Sequence, residues 1–218
     1  MADNYLEKRY EATLGAGRTK VKRIGHTLDE LLLRNRSHRA FRKEYVVSRQ
    51  ELERIVAVCS RIPSARNQQV LRYRLVTRGP EADVILRNIK LGAALPELHL
   101  PAPGTEPEAF IIVCSTVAES KLVDIDVGIA LQSMLLKAVE MGLNGIVIGA
   151  FNRENIRQAF FGHLPSSSAE LHPIMILAIG KGGDRIQLVP IHADAPHAYY
   201  REEGIHYVPK IPASELIV

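Results

Sequence analysis

The stretch Asp124-Ile-Asp-Val-Gly-Ile-Ala-Leu-Gln-Ser-Met-Leu-Leu-Lys-Ala-Val-Glu-Met141 decides the fold of this chain. Its apolar residues recur around most of the circumference of a helix, and Gly142 is well placed to end that helix. So wide an apolar surface cannot face water. We therefore expect the helix to lie in the core, in a subunit interface, or in both.

Short apolar runs before and after this helix predict a sheet. The runs that have the length and residue types of buried strands are Phe110 to Cys114, Ile146 to Ile148 and Ile174 to Ile179. Alternation from Arg72 to Thr77 predicts one more strand, after which Pro80 opens a helix toward Ile89. Asn152 can cap a further helix that reaches Phe160. Helices and strands are therefore mixed along the chain.

Two polar patches each follow the end of a predicted helix. The first is Asn35-Arg-Ser-His-Arg-Ala-Phe41, after a helix that a Thr27/Glu30 capping box begins. The second is Ile62-Pro-Ser-Ala-Arg-Asn-Gln-Gln69, after a helix that a Ser48/Glu51 capping box begins. Together the patches offer forked cations, a hydroxyl and amides, which suit a ligand with a phosphate at one end and a planar hydrogen-bonding ring at the other. The alternatives are solvated charges after a helix and a plain helix-stopping loop.

The composition indicates a globular protein with one main domain. Of the 218 residues, 46% are hydrophobic and 24% are charged, which argues against disorder or a fibrous class. We expect an N-terminal helical extension over residues 1–26, with a short helix from Asn4 to Leu14, and one domain over residues 27–218. No apolar run approaches a membrane helix in length and the first residues lack the layout of a signal peptide, so we expect a cytoplasmic location.

Neither the cysteines nor the charge indicates a metal or nucleic-acid site. Cys59 and Cys114 are solitary within apolar stretches, which favours core thiols and no metal site. The net charge is +4, but the densest basic cluster, Arg18 to Arg23, has no interleaved aromatic residues for base stacking. We therefore expect neither nucleic acid nor a membrane as a partner. A modest positive field also suits an anionic cofactor.

The order of five motifs resembles the FMN-dependent nitroreductase family. The motifs are Arg36-Ser37-x-Arg39-x-Phe41, Pro63-Ser64-Ala65-x-Asn67-x-Gln69, the helix from Asp126 to Leu143, Ile148-Gly149-Ala150-Phe151, and Val208-Pro209-Lys210. The resemblance implies a three-layer α+β fold in which a central, mostly antiparallel sheet is flanked by helices. It also implies an intertwined homodimer that binds one FMN in each of two interface sites, and it makes residues 27–218 a nitroreductase-like FMN-binding domain.

The resemblance also implies roles for particular residues. Arg36, Ser37 and Arg39 would contact the phosphate and ribityl chain, with Arg39 approaching the N1/O2 edge of the flavin. The second subunit would place Pro63, Ser64, Ala65 and Asn67 against the ring. Gly149-Ala150 would offer a backbone N–H to flavin N5, and Lys210 would reach the phosphate. No catalytic side chain is assigned, because the cofactor carries the chemistry.

The chain departs from the family pattern at two places, and one part of the flavin site is left unassigned. Asn67 to Leu71 reads Asn-Gln-Gln-Val-Leu where many relatives have Asn-x-Gln-Pro-Trp. Ile211 follows Lys210 where relatives often carry another basic residue. Some relatives use mid-chain polar residues at the pyrimidine edge of the flavin, but the resemblance does not align them here, so Asn88 and Lys90 have no assigned role.

The function that these motifs predict is an NAD(P)H-dependent FMN oxidoreductase. Hydride would pass from NADH or NADPH through flavin N5 to an organic acceptor such as a nitroaromatic or a quinone. The alternative is a flavin-binding carrier or sensor without nicotinamide-driven turnover. The proline- and glycine-rich segment from Leu91 to Pro107 is predicted to be a surface loop and a candidate lid over the site.

Overall fold

The centre of the fold is a four-stranded antiparallel sheet. The computed structural model describes residues 25–92, 98, 100–163 and 170–218. The strands are β1 Leu71–Val76, β2 Ala109–Ser115, β3 Asn144–Ile148 and β4 His172–Gly180, in the order β1-β2-β4-β3. Every neighbouring pair is antiparallel. The apolar runs that predicted β2, β3 and β4 are confirmed.

Helices cover both faces of this sheet. They are α1 Leu28–Arg34, α2 Arg49–Val56, α3 Pro80–Asn88, α4 Lys121–Glu140, α5 Arg153–Phe161 and α6 Ala213–Leu216. Both predicted capping boxes, at Thr27 and Ser48, are formed. α2 ends earlier than its apolar spacing predicts, because the chain tightens into a 3-10 turn over Ala57–Ser60 before Pro63.

Alternate residues of β2 separate two hydrophobic cores. Ile111 and Val113 pack in a core with α2 and α4, whereas Phe110 and Ile112 pack in a core with α3 and α5. Side chains of a strand alternate between its two faces, so one strand serves both layers of helices. The predicted three-layer α+β fold is confirmed.

The long helix α4 is buried on one side and exposed on the other. Ala130, Met134 and Ala138 are fully buried against the sheet, which confirms the predicted core position. On the opposite side, Leu122 and Ile125 remain 43% and 48% exposed. A single chain therefore covers only part of the apolar surface of this helix.

A second, three-stranded sheet follows the first and is not predicted from the sequence. We call it the C-terminal sheet; it consists of β5 Arg185–Pro190, β6 Tyr200–Glu202 and β7 Ile205–Lys210, in the order β5-β7-β6. β5 and β7 are parallel, and β6 is antiparallel to β7. These strands are half-exposed and lack the apolar runs that mark the central strands.

Two predictions fall wholly or partly outside the described residues. The helix from Asn4 to Leu14 lies outside them, and so do residues 93–97 and 99 of the predicted lid, so the extension and the lid stay predictions. Within the part of the chain that the structure covers, no helix has the length and apolar character that crossing a bilayer requires. The cytoplasmic location also stays a prediction.

Candidate functional site

The first polar patch lies along the beginning of β3. Ser37 forms a parallel bridge with Gly145, and the backbone N–H of His38 donates to the Gly145 carbonyl at 3.2 Å. A Cβ at Gly145 would lie 2.7 Å from the Ala178 carbonyl oxygen. Only glycine therefore fits where the patch, β3 and β4 meet.

Four of the predicted site residues share one cavity beside this junction. Arg36, Ser37, Arg39 and Lys210 line it, and its volume is ≈ 420 Å³. We call it the arginine cavity. α4 contributes Gln132 to its wall, and the C-terminal sheet contributes the strand that carries Lys210. The cavity therefore brings the segment around Arg36 together with β7, which lies about 170 residues later in the sequence.

The arginine cavity is lined by two guanidinium groups whose charges no carboxylate in the described chain offsets. Arg36 donates to the Leu32 carbonyl at 2.6 Å and Arg39 to the Ser37 carbonyl at 3.2 Å, but the Nε atoms of both are buried and unpartnered within the described residues. Burial lowers the pKa of the Arg36 guanidinium. Buried cations are costly unless paired. Since no carboxylate contacts either guanidinium in the described chain, the donor set suits an anionic ligand.

The C-terminal sheet adds two aromatic side chains that the sequence prediction missed. The Arg39 guanidinium lies 4.7 Å from the centre of the Tyr199 ring, and its Nη1 lies 3.4 Å from Nε2 of His206. Both residues line the arginine cavity. The sequence signal that could have identified His206 is the alternation His206-x-Val208-x-Lys210. In a strand such as β7, these three residues lie on one face.

Asp184 fixes the backbone of the first polar patch. Its Oδ2 accepts hydrogen bonds from the N–H groups of Arg39 and Ala40, the latter at 2.9 Å. Its Oδ1 accepts from the Arg201 guanidinium at 2.6 Å. The carboxylate is almost fully buried. Asp184 therefore connects the patch to β6, and no local motif in the sequence marks it for that role.

The second polar patch does not reach the arginine cavity within one chain. Its Ala65 N–H donates to the buried Asp126 carboxylate at 2.8 Å, near the beginning of α4. Pro63 and Ser64 line a separate, largely apolar cavity of ≈ 340 Å³. Gln132 of the arginine cavity lies six residues further along α4, which is about 9 Å of helix.

The same patch has an unusual backbone. Arg66, Asn67 and Gln69 have φ values of 51°, 55° and 49°, a region that residues with side chains rarely adopt. The Asn67 side chain accepts a hydrogen bond from Gln69 at 3.1 Å. Positive φ at non-glycine residues costs of order 1 kcal/mol or more each and concentrates at functional sites.

Gly149 and Ala150 lie at the other end of β3. Ala150 lines a cavity of ≈ 600 Å³ together with Asn88 and Lys90, whose backbone N–H donates to the Ala150 carbonyl at 2.8 Å. Asn152 N–H donates to the Asn88 carbonyl at 2.9 Å. The structure thus places the two residues that the resemblance left unassigned directly beside the Gly149-Ala150 turn.

One face of β3 runs from the arginine cavity toward the Gly149-Ala150 turn. Gly145 and Val147 line the arginine cavity, and Gly149 follows on the same side, while Ile146 and Ile148 point into the core. Gly145 and Gly149 are about 13 Å apart along an extended strand. An elongated ligand with a charged end and a ring end can therefore lie along this face.

The sequence of residues 32–181 matches the family model described as Nitroreductase family, and the match covers well over half of the 218 residues. The chain belongs to the nitroreductase family. No curated protein matches the sequence. The nitroreductase match ends before Arg185, so Tyr199 and His206 come from a segment outside it.

Solved nitroreductase structures share the fold. A nitroreductase family protein from Clostridium novyi NT is 21% identical with a TM-score of 0.57, covering 72% of this chain and 87% of that one. One from Clostridium difficile 630 is 24% identical with a TM-score of 0.55, covering 73% and 86%. The FMN and NADPH-dependent nitroreductase NfnB from Sphigopyxis sp. strain HMH is 20% identical with a TM-score of 0.56, covering 72% and 89%.

Neither cysteine lines the arginine cavity, although Cys59 lines the apolar cavity that contains Pro63 and Ser64. Cys114 is a core thiol whose pKa burial raises to about 12, and Cys59 is half-buried with its pKa also raised by burial. Among the residues described, no group of three or more His, Cys, Asp and Glu side chains is placed to hold a metal ion.

We expect Asp184→Asn to destabilise the protein by about 2 kcal/mol, because an amide accepts fewer and weaker hydrogen bonds from buried N–H donors than a carboxylate. Denaturant unfolding of the purified variant measures this loss. Asp194→Asn is the matched control, since Asp194 is exposed in the same segment. Equal unfolding free energies for the two variants would contradict the role given to Asp184.

Proposed function

We propose that this chain is an FMN-dependent oxidoreductase. It takes hydride from NADH or NADPH at flavin N5 and passes it to an organic acceptor such as a nitroaromatic or a quinone. One observation carries the proposal: cationic side chains that no carboxylate contacts in the described chain line a cavity at one end of β3, and the Gly149-Ala150 turn lies at the other end. Membership of the nitroreductase family supports a flavin oxidoreductase.

The residues of the arginine cavity fit the phosphate end of FMN. Arg36, Ser37, Arg39 and Lys210 supply three cations and a hydroxyl, the donor types that bind phosphate most strongly. The ribityl chain would follow β3 past Val147. Since no carboxylate contacts the Arg39 guanidinium in the described chain, its charge is available to stabilise a flavin anion at the N1/O2 edge.

The other end of β3 fits the ring. Gly149 and Ala150 would offer a backbone N–H toward N5, and Asn88 and Lys90 would contact the pyrimidine edge, because they line the same cavity as Ala150. FMN, when bound, supplies the hydride chemistry at N5. The protein's share is to bind it, orient it and favour its reduced form, which requires no acidic or basic side chain.

A second copy of the chain completes the site. Pro63, Ser64, Ala65 and Asn67 lie away from the arginine cavity of their own chain, so they would reach the flavin of a partner. The exposed side of α4 offers a surface for that partner. Its apolar residues recur at helical spacing and none is buried; they are Leu122, Ile125, Ile129 and Leu136. We therefore propose an intertwined homodimer, with residues 27–218 as its FMN-binding domain.

The absorbance spectrum of the purified protein tests the proposed activity. We expect flavin bands that bleach on anaerobic addition of NADPH or NADH and return on addition of a nitroaromatic or a quinone. A flavin that dithionite reduces but nicotinamides do not would instead identify a carrier or sensor. Colourless protein that fails to bind added FMN would reject both functions.

Replacing Arg36 tests the phosphate end. Arg36→Ala removes a charge-assisted contact, so FMN binding should weaken by about 1.5 to 3 kcal/mol. Fluorescence titration of FMN measures the change. Arg49→Ala is the control, because Arg49 is exposed and, among the described residues, forms its ion pair with Glu53 on the same helix. An unaltered flavin affinity in Arg36→Ala would place Arg36 outside the phosphate site.

Replacing Ile125 tests the homodimer. Ile125→Asp puts a charge in the middle of the apolar stripe of α4, so the dimer should dissociate and flavin binding should fall with it. Light scattering coupled to size exclusion measures the mass. Val46→Asp is the control, since Val46 is 52% exposed and lies outside the stripe. A dimer that persists with bound flavin in Ile125→Asp would exclude this surface as the interface.

A further inference from the structure

We infer that Tyr199 is a positioning residue that holds the Arg39 guanidinium against the flavin and thereby favours the reduced form of the cofactor. This rests on the proposed function and deepens it, because it names the side chain that fixes the charge at the N1/O2 edge. Tyr199 lies in the C-terminal segment, outside residues 32–181 that match the family. The contacts of the Arg39 side chain support this role.

Three groups hold the Arg39 guanidinium. Its Nη1 donates to the Ser37 carbonyl at 3.2 Å and lies 3.4 Å from Nε2 of His206. Because a guanidinium only donates hydrogen bonds, Nε2 of His206 is the acceptor. The Arg39 Cζ lies 4.7 Å from the centre of the Tyr199 ring, a distance at which the face of an aromatic ring attracts a cation. The Tyr199 ring also packs on His206, with ring centres 5.0 Å apart.

These contacts fix the position of the charge without offsetting it. A carbonyl, a neutral imidazole and an aromatic ring all attract a guanidinium, but none of them carries a net negative charge as a carboxylate does. Burial lowers the pKa of His206, and the nearby Arg39 and Arg201 lower it further, so its ring stays neutral at pH 7. Arg39 is itself only 9% exposed, and water therefore screens its charge weakly.

One nitrogen of the Arg39 guanidinium remains for a ligand. Nε is buried without a partner in the described chain, and Nη1 is bound to the Ser37 carbonyl. Nη2 makes no hydrogen bond within the described residues and is not among their buried, unpartnered atoms, so it keeps accessible surface. Since Arg39 lines the arginine cavity, Nη2 is the nitrogen that can meet the flavin.

The Tyr199 contact therefore bears on the two oxidation states of the flavin differently. Without the ring, the guanidinium loses one of its three contacts and can turn away from the cavity. The attraction between two charges weakens as their separation grows, so the negative charge of the reduced ring would lose stabilisation. The oxidised ring carries no net charge and would lose less.

The ratio of the affinities for reduced and oxidised FMN tests this role, and it is obtained from the reduction potentials of free and bound FMN. In Tyr199→Leu we expect the ratio to fall about tenfold, which lowers the two-electron potential of bound FMN by about 30 mV. In Tyr199→Phe, which keeps the ring, we expect the wild-type ratio. Tyr200→Leu is the matched control, since Tyr200 is 44% exposed and stacks on Tyr207.

A double variant tests whether the effect acts through Arg39. Arg39→Ala should lower the ratio by itself, and adding Tyr199→Leu should change it no further, because residues that act through one contact are not additive. An undiminished effect of Tyr199→Leu in the absence of Arg39 would overturn the inference.

Fluorinated phenylalanine at position 199 covers the case in which the leucine variant does not fold. Fluorine withdraws negative charge from the face of the ring while nearly keeping its shape, so the ratio should fall stepwise as fluorines are added. A ratio that does not respond to fluorine would show that the ring face does not hold the guanidinium.

The outcomes separate the two proposals. An unchanged ratio in Tyr199→Leu, in a protein that binds FMN and is reduced by NADH or NADPH, overturns the inference and leaves the proposed function standing. Wild-type protein that binds no FMN overturns both.

Discussion

The arrangement around Asp184 is the constraint on which the site depends. Its buried carboxylate accepts the backbone N–H groups of residues 39 and 40 and pairs with the Arg201 guanidinium, but it does not contact the Arg39 guanidinium in the described chain. The Arg39 guanidinium is thereby held in place without being neutralised by Asp184. Charge that is fixed, buried and uncompensated has a strong field, which is what an anionic cofactor and its reduced ring require.

Some apolar surfaces of the fold are buried within a single chain, and others remain exposed. The sheet and the inner side of α4 form closed cores with α2, α3 and α5. The outer side of α4 and the Pro63–Asn67 segment face away from them. In the proposed homodimer, this division would account for predicted flavin contacts that lie in separate cavities of a single chain. A second copy would bring two of these surfaces together.

The sequence predicted the parts of the molecule that depend on local patterns. The apolar run at Phe110 to Cys114 and the capping box at Ser48 each carry their own signal, and both are confirmed. The C-terminal sheet was missed because its parallel β5–β7 pair is half-exposed. Its register depends on pairing between residues that are far apart in the sequence. Asp184 was missed because its structural role depends on hydrogen bonds to residues about 145 positions away in the sequence. Of the residues that line the arginine cavity, the sequence predicted the two arginines, Ser37 and Lys210 as site residues, but it did not predict Tyr199.

The backbone conformation of Arg66, Asn67 and Gln69 determines how substitutions in this turn would act. Glycine would adopt these left-handed conformations without steric conflict, yet all three positions carry side chains. The chain therefore keeps a turn whose backbone is locally unfavourable. Substitution with glycine would reduce the backbone strain of this turn and would remove a side chain. Such a substitution would also give the unfolded chain more conformational freedom, so the gain in stability would be smaller than the strain that it removes.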